Sequence, residues 1–153
     1  MFVSRQRYLF VAVWAAICLM ISVEGLAAGD AVSVDADRVA IQGYDTVAYF
    51  TAGKPVKGRP EFEAEWQGAR WRFANAEHRD MFSANPETYA PRFGGYCVMG
   101  VAMGLSERPN PEAWVIIDGK LYLASYKQDI DDLNKDVAGN IQKAEAGWRA
   151  MGN

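Results

Sequence analysis

A thiol, an imidazole and two thioethers are the side chains of this sequence best suited to hold a soft metal ion. The chain has two cysteines and a single histidine. Cys97 stands in "RFGGYCVMG" and His78 in "ANAEHRDMF", while Met99 and Met103 follow the cysteine four residues apart. Thiolate, imidazole and thioether together favour copper, and imidazole also suits zinc or nickel. A helix through the segment would align residues 99 and 103 on one side. The cofactor expected on this reading is a copper ion bound without catalysis by Cys97, with His78, Met99 and Met103 as candidate co-ligands. Each of these residues also has a plainer use. Free cysteine is among the most buried residue types, and methionine fills irregular gaps in cores. The histidine fits a half-exposed position in the first turn of a helix, its ring against Phe82.

Nucleophilic catalysis by Cys97 would need a base and a third group to orient it. No acidic residue is tied to His78 by spacing, since Glu77 points elsewhere on a helix and Asp45 reads as a helix cap. The chain has no glycine-rich phosphate loop, Cys-x-x-Cys pair or His-x-x-x-His pair. With a formal net charge of −3, it lacks the basic field of a nucleic-acid binder. Binding, more than turnover, is therefore expected, with no nucleic-acid partner.

The start of the chain sets the compartment. Arg5 and Arg7 precede an uncharged run from Tyr8 to Val23, and Gly25, Ala27 and Ala28 supply small residues for signal-peptidase cleavage. The run is shorter than the ~20 residues of a membrane-spanning helix, and Glu24 ends it. The expected organisation is a signal peptide over 1–27 and one domain over 28–153. No stable membrane span remains after cleavage, and the location is outside the cytoplasm, in a bacterial periplasm. Cleavage would remove Cys18 and leave Cys97 without an internal disulfide partner. A lone thiol in an oxidising compartment must be buried, coordinated or reactive.

The elements that would position these residues follow from hydrophobic period. A short strand is expected over 31–34, then a helix over 45–51 with Asp45 as its cap. In "EFEAEWQGARWRF" charged and apolar residues alternate, the period of a half-buried strand. A turn at Gln67-Gly68 sets Trp66 opposite Ala69, Glu65 opposite Arg70, Ala64 opposite Trp71, Glu63 opposite Arg72 and Phe62 opposite Phe73. Such pairs contribute roughly 0.2–1 kcal/mol each. Asn75 caps a helix over 76–84 that places His78, Met81 and Phe82 on one side. Pro86 opens another turn, Gly94 and Gly95 permit positive φ, and "YCVMGVAMG" forms a short helix. "AWVIIDGKLYLA" is a second hairpin on an Asp118-Gly119 turn. Ile130, Leu133, Val137, Ile141, Ala144 and Trp148 mark one amphipathic helix, or two broken near Gly139-Asn140. Two antiparallel hairpins with helices after each make an α+β fold with a small antiparallel sheet.

The stretch "WQGARWRFANAEHRDMFSANPETYAPRFGGYC" resembles the YHS-domain family. It has an aromatic strand, a glycine turn, a second aromatic strand, a short helix and then Phe-x-x-Asn-Pro-Glu-x-Tyr. These are Trp66, Gly68, Trp71, Phe73, Phe82, Asn85, Pro86, Glu87 and Tyr89. The flanks "GYDTVAYFTAGKPVKG" and "YAPRFGGYCVMGVAMG" resemble the exported branch, and the likeness extends over 41–148. Metal-handling relatives carry cysteines at positions that correspond here to Ala48, Ala74 and His78. The resemblance thus implies the YHS fold but a largely erased family metal site, with Cys97 in the exported branch's own "GGYC" segment. Two functions stay open: soft-metal binding, with a metal donor or acceptor protein as partner, or an interaction or small-ligand-binding module whose aromatic cleft does the work and whose Cys97 only packs.

Overall fold

The computed structural model describes residues 30–153. The expected signal peptide over 1–27, with Cys18, lies outside them. The elements are α+β in kind: α1 (Thr46–Thr51), β1 (Arg59–Trp66), β2 (Ala69–Phe73), α2 (Ala76–Ala84), α3 (Pro86–Tyr89), α4 (Val98–Ala102), β3 (Asn110–Ile117), β4 (Lys120–Ala124), α5 (Lys127–Lys135) and α6 (Val137–Ala150). The hairpins β1–β2 and β3–β4 are separate two-stranded antiparallel sheets. The expected strand over 31–34 is reduced to an isolated bridge between Val34 and Ala40.

The first hairpin turns at Gln67 and Gly68, both at positive φ (49° and 68°), the paired left-handed geometry that matches strand twist. Its register follows the expected pairs from Trp66↔Ala69 to Glu63↔Arg72, then shifts, so that Phe73 pairs with Arg59 and not with Phe62. Pro60 lies in the shifted stretch, and a proline has no N–H to give the ladder. β3 shows the same feature, its register slipping between Asn110 and Trp114, around Pro111. Side chains also depart from simple pairing. Glu63 accepts from Arg72 Nε at 2.7 Å and from an Arg70 terminal nitrogen at 2.9 Å, so one carboxylate serves both arginines.

Burial raises the Glu63 carboxyl, but the hydrogen bonds from Arg72 and Arg70 outweigh it and hold the group below its ordinary range. A carboxyl depressed in the folded state adds stability above its unfolded pKa and loses it as pH falls through the folded value. Glu63→Gln should therefore lose up to about 1 kcal/mol at neutral pH and nothing in strong acid. Urea midpoints at the two pH values check this.

The core has two main parts, and β4 divides them. Leu121 and Leu123 point into a cluster built from Trp71, Phe73, Phe82, Tyr49, Val47 and Ile41. Tyr122, on the opposite face, joins Phe93, Tyr96, Val98, Val101, Leu133 and Ala144. A strand's side chains alternate, and both faces of β4 are covered, so its burial is continuous. The C-terminal helices break at Asp136 (φ −153°, ψ 76°), three residues before the expected Gly139-Asn140. Asp136 Oδ1 accepts the Gly139 N–H at 3.0 Å, and a Cβ at 139 would lie 2.1 Å from Asp136 Oδ2. The glycine does not break the helix; it makes room for the cap that starts it. Gly147 plays a packing role, since a Cβ there would meet the Val101 carbonyl oxygen at 2.0 Å where α6 crosses α4.

Candidate functional site

The four candidate ligands do not share one neighbourhood. Cys97 is 1% exposed and packs with Ala113 and Ala124, with Met99 and Ile130 against them. It forms an isolated parallel bridge to Leu123, and its Sγ donates to Asp129 Oδ2 at 3.5 Å. The expected side-by-side arrangement of Met99 and Met103 is not seen. Helix α4 ends at Ala102, Met103 is its C-cap, and Met103 is 68% exposed whereas Met99 packs inward. Among the described residues no group of three or more His, Cys, Asp or Glu side chains is placed to hold a metal ion.

The ring nitrogens of His78 are engaged away from Cys97, by Asp45 and Thr51. Asn75 caps α2 by accepting the His78 N–H at 2.8 Å, which fixes the histidine in the first turn. Its side chain is 15% exposed, with Nδ1 2.6 Å from Asp45 Oδ2, a carboxylate with no exposure at all. The remaining ring nitrogen, Nε2, lies 3.2 Å from Thr51 Oγ1. Asp45 is indeed the α1 cap: Oδ1 accepts from Val47 N at 2.9 Å and Ala48 N at 3.2 Å. Oδ2 also accepts from Ala74 N at 2.8 Å. One carboxylate thus joins the start of α1, the link from β2 to α2, and the imidazole.

The protonation pattern follows. An ionised carboxylate is acceptor only, so we assign the ring proton to Nδ1, leaving the Nε2 lone pair of the neutral imidazole facing Thr51. The Thr51 hydroxyl has two acceptors in reach, Nε2 and the Val47 carbonyl oxygen, each at 3.2 Å. Helix α1 is held firmly under this arrangement. The Tyr49 hydroxyl donates to the Pro111 carbonyl at 2.9 Å, its ring meets Trp114 edge-on at 5.1 Å, and Phe50 meets Tyr89 at 5.5 Å. Sequence reasoning recognised Asp45 and His78 singly and missed both their contact and Thr51. The only sign of it in the sequence is that both residues open helices, which lets two helix starts meet.

A second feature is an open cleft of about 440 Å³ between Trp66 and Gln67 of the first hairpin, the Glu87–Gly94 stretch, and Trp148 of α6. Phe93 is 6.1 Å from Trp148 between ring centroids. The Arg92 guanidinium lies 5.7 Å from the Phe93 ring and has no carboxylate partner among the described residues. Gly94 supports this wall: it sits at φ +60°, and a Cβ there would be 2.0 Å from the Ala31 carbonyl oxygen. Among the described residues no helix is long and apolar enough to cross a membrane.

Comparison with family models, curated proteins and solved structures finds no match to this chain.

Proposed function

We propose that the chain is an exported, YHS-type domain that works by binding a small ligand in its aromatic cleft, with Cys97 serving as core packing. The observation that carries this reading is the burial of Cys97 among two alanines while Trp66, Phe93 and Trp148 border an open cleft. Ligand pockets pair apolar and aromatic walls with a few orienting polar groups. Arg92 at the rim, with no carboxylate partner among the described residues, suits a carboxylate on a planar, apolar ligand.

Indole-3-acetate is a suitable probe. It should shift the indole N–H signals of Trp66 and Trp148, and Arg92→Ala should weaken its binding about tenfold, the loss of roughly 1.4 kcal/mol. Elemental analysis and thiol labelling on the same untreated sample weigh the competing copper reading. The packing role expects a thiol that labels only after unfolding, and a Cys97→Ser variant destabilised by roughly 1–3 kcal/mol because a hydroxyl costs more than a thiol to bury against Ala113, Ala124 and Ile130. About one copper ion per chain, lost in Cys97→Ser, would replace this reading with a Cys97 metal site.

A further inference from the structure

We propose that Thr51, His78 and Asp45 form a nucleophilic acyl-transfer site, separate from the aromatic cleft, that acts on small activated esters. A nucleophile, a base in hydrogen-bond reach of it, and a third group orienting the base are the parts such chemistry requires. All three meet here: Thr51 Oγ1 is 3.2 Å from His78 Nε2, and His78 Nδ1 is 2.6 Å from Asp45 Oδ2. Asp45 is fully buried and held by three backbone N–H groups, so the carboxylate cannot turn away from the ring. Its acceptor role keeps the proton on Nδ1, the tautomer that leaves Nε2 free to take a proton.

The nucleophile is on the accessible side. Thr51 is exposed at the end of α1, whereas its base is sheltered and its orienting group sealed. The residues that follow add two further parts. The backbone N–H groups of Gly53 and Lys54 meet no acceptor among the described residues, and nothing lies within 4 Å of where a Cβ on Gly53 would stand. Such free N–H donors, two and three residues after the nucleophile, are available to an oxyanion. The site lies on open surface, so a small acyl group is the class it fits.

Thr51 Oγ1 attacks the ester carbonyl carbon while its proton passes to His78 Nε2. The tetrahedral adduct collapses, the C–O bond to the leaving group breaks, and His78 gives that proton to the departing alkoxide or phenoxide. Water then attacks the acyl-threonine, loses a proton to Nε2, and the acid departs as Thr51 recovers its proton. Ester and water become acid and alcohol. Within this scheme Thr51 and His78 are catalytic and Asp45 is a positioning residue.

The test uses p-nitrophenyl acetate with the purified protein, reading nitrophenolate release together with intact mass and peptide mapping. The expected result is one acetyl group per chain on Thr51. Thr51→Val should abolish the adduct, and His78→Gln should slow its formation about 100-fold, the size of a lost general base. Thr51→Ser should restore labelling, which a merely structural hydroxyl would not require, and near-UV circular dichroism checks each fold. No acetylation of the parent, or acetylation that persists unchanged in Thr51→Val, overturns the proposal. Indole-3-acetate binding is untouched in Thr51→Val, so failure here is separable from failure of the cleft reading.

Discussion

Replacing Asp45 by alanine should destabilise the protein by about 3–5 kcal/mol, because it removes one buried acceptor that serves four donors. The side chain has no exposure, and each of its oxygens accepts twice. Alanine would leave the N–H groups of Val47, Ala48 and Ala74 and the imidazole Nδ1–H without their acceptor. A lost N-cap alone costs about 1 kcal/mol, and each further buried unpaired donor adds about 1–3 kcal/mol. Asp45→Asn keeps the shape but recovers little, because its amide turns a donor toward Ala74 N and His78 Nδ1 if its oxygen serves α1. The check is urea unfolding of both variants with an unchanged slope. A double-mutant cycle with His78→Ala should show coupling of about 0.5–3 kcal/mol, the range for residues in one network. A loss below about 1 kcal/mol in Asp45→Ala would mean that the carboxylate is a surface-like cap and nothing more.

Phe82→Ala should cost about 3–5 kcal/mol through lost burial and the cavity left behind. Phe82 is 1% exposed and its ring lies 5.0 Å from Trp71, 5.1 Å from Phe73 and 5.9 Å from Trp66. No small side chain of the neighbourhood can move in to fill so large a gap, since both strands of the first hairpin are held by their ladder. The substitution also reaches the relay. Phe82 and His78 lie one turn apart on α2, so loosening that face frees the imidazole from its position over Thr51. Thermal melting reads the first effect, and reduced acetylation of Thr51 in the folded variant reads the second. Phe82→Leu should recover most of both, because it refills much of the volume.

Much of the local structure was legible because it is decided by neighbours in the chain. Alternation over Glu61 to Phe73 and the positive-φ turns at Gln67-Gly68 and Asp118-Gly119 specify hairpins whatever surrounds them. Asp45 and Asn75 read as caps, and both are caps. The outer register was missed: Phe62 opposite Phe73 was expected, but both hairpins slip in the stretches that hold Pro60 and Pro111, where a proline has no N–H for the ladder. The break at Asp136 was misplaced because Gly139 looks like a helix breaker until its close approach to the aspartate is seen. The Met99–Met103 alignment failed because α4 ends at Ala102, one residue short of Met103.

By itself, the sequence determined the elements, their order and the α+β class, since period, turns and caps are written in residues close together. Tertiary structure alone decided the chemistry. Asp45 and His78 are 33 residues apart and meet only because the first hairpin turns α2 back against the start of α1. Cys97 owes its burial to Ala113 and Ala124, residues too small to announce a contact. Hydrogen bonds and packing between distant segments depend on how elements dock, and no local pattern encodes a docking angle.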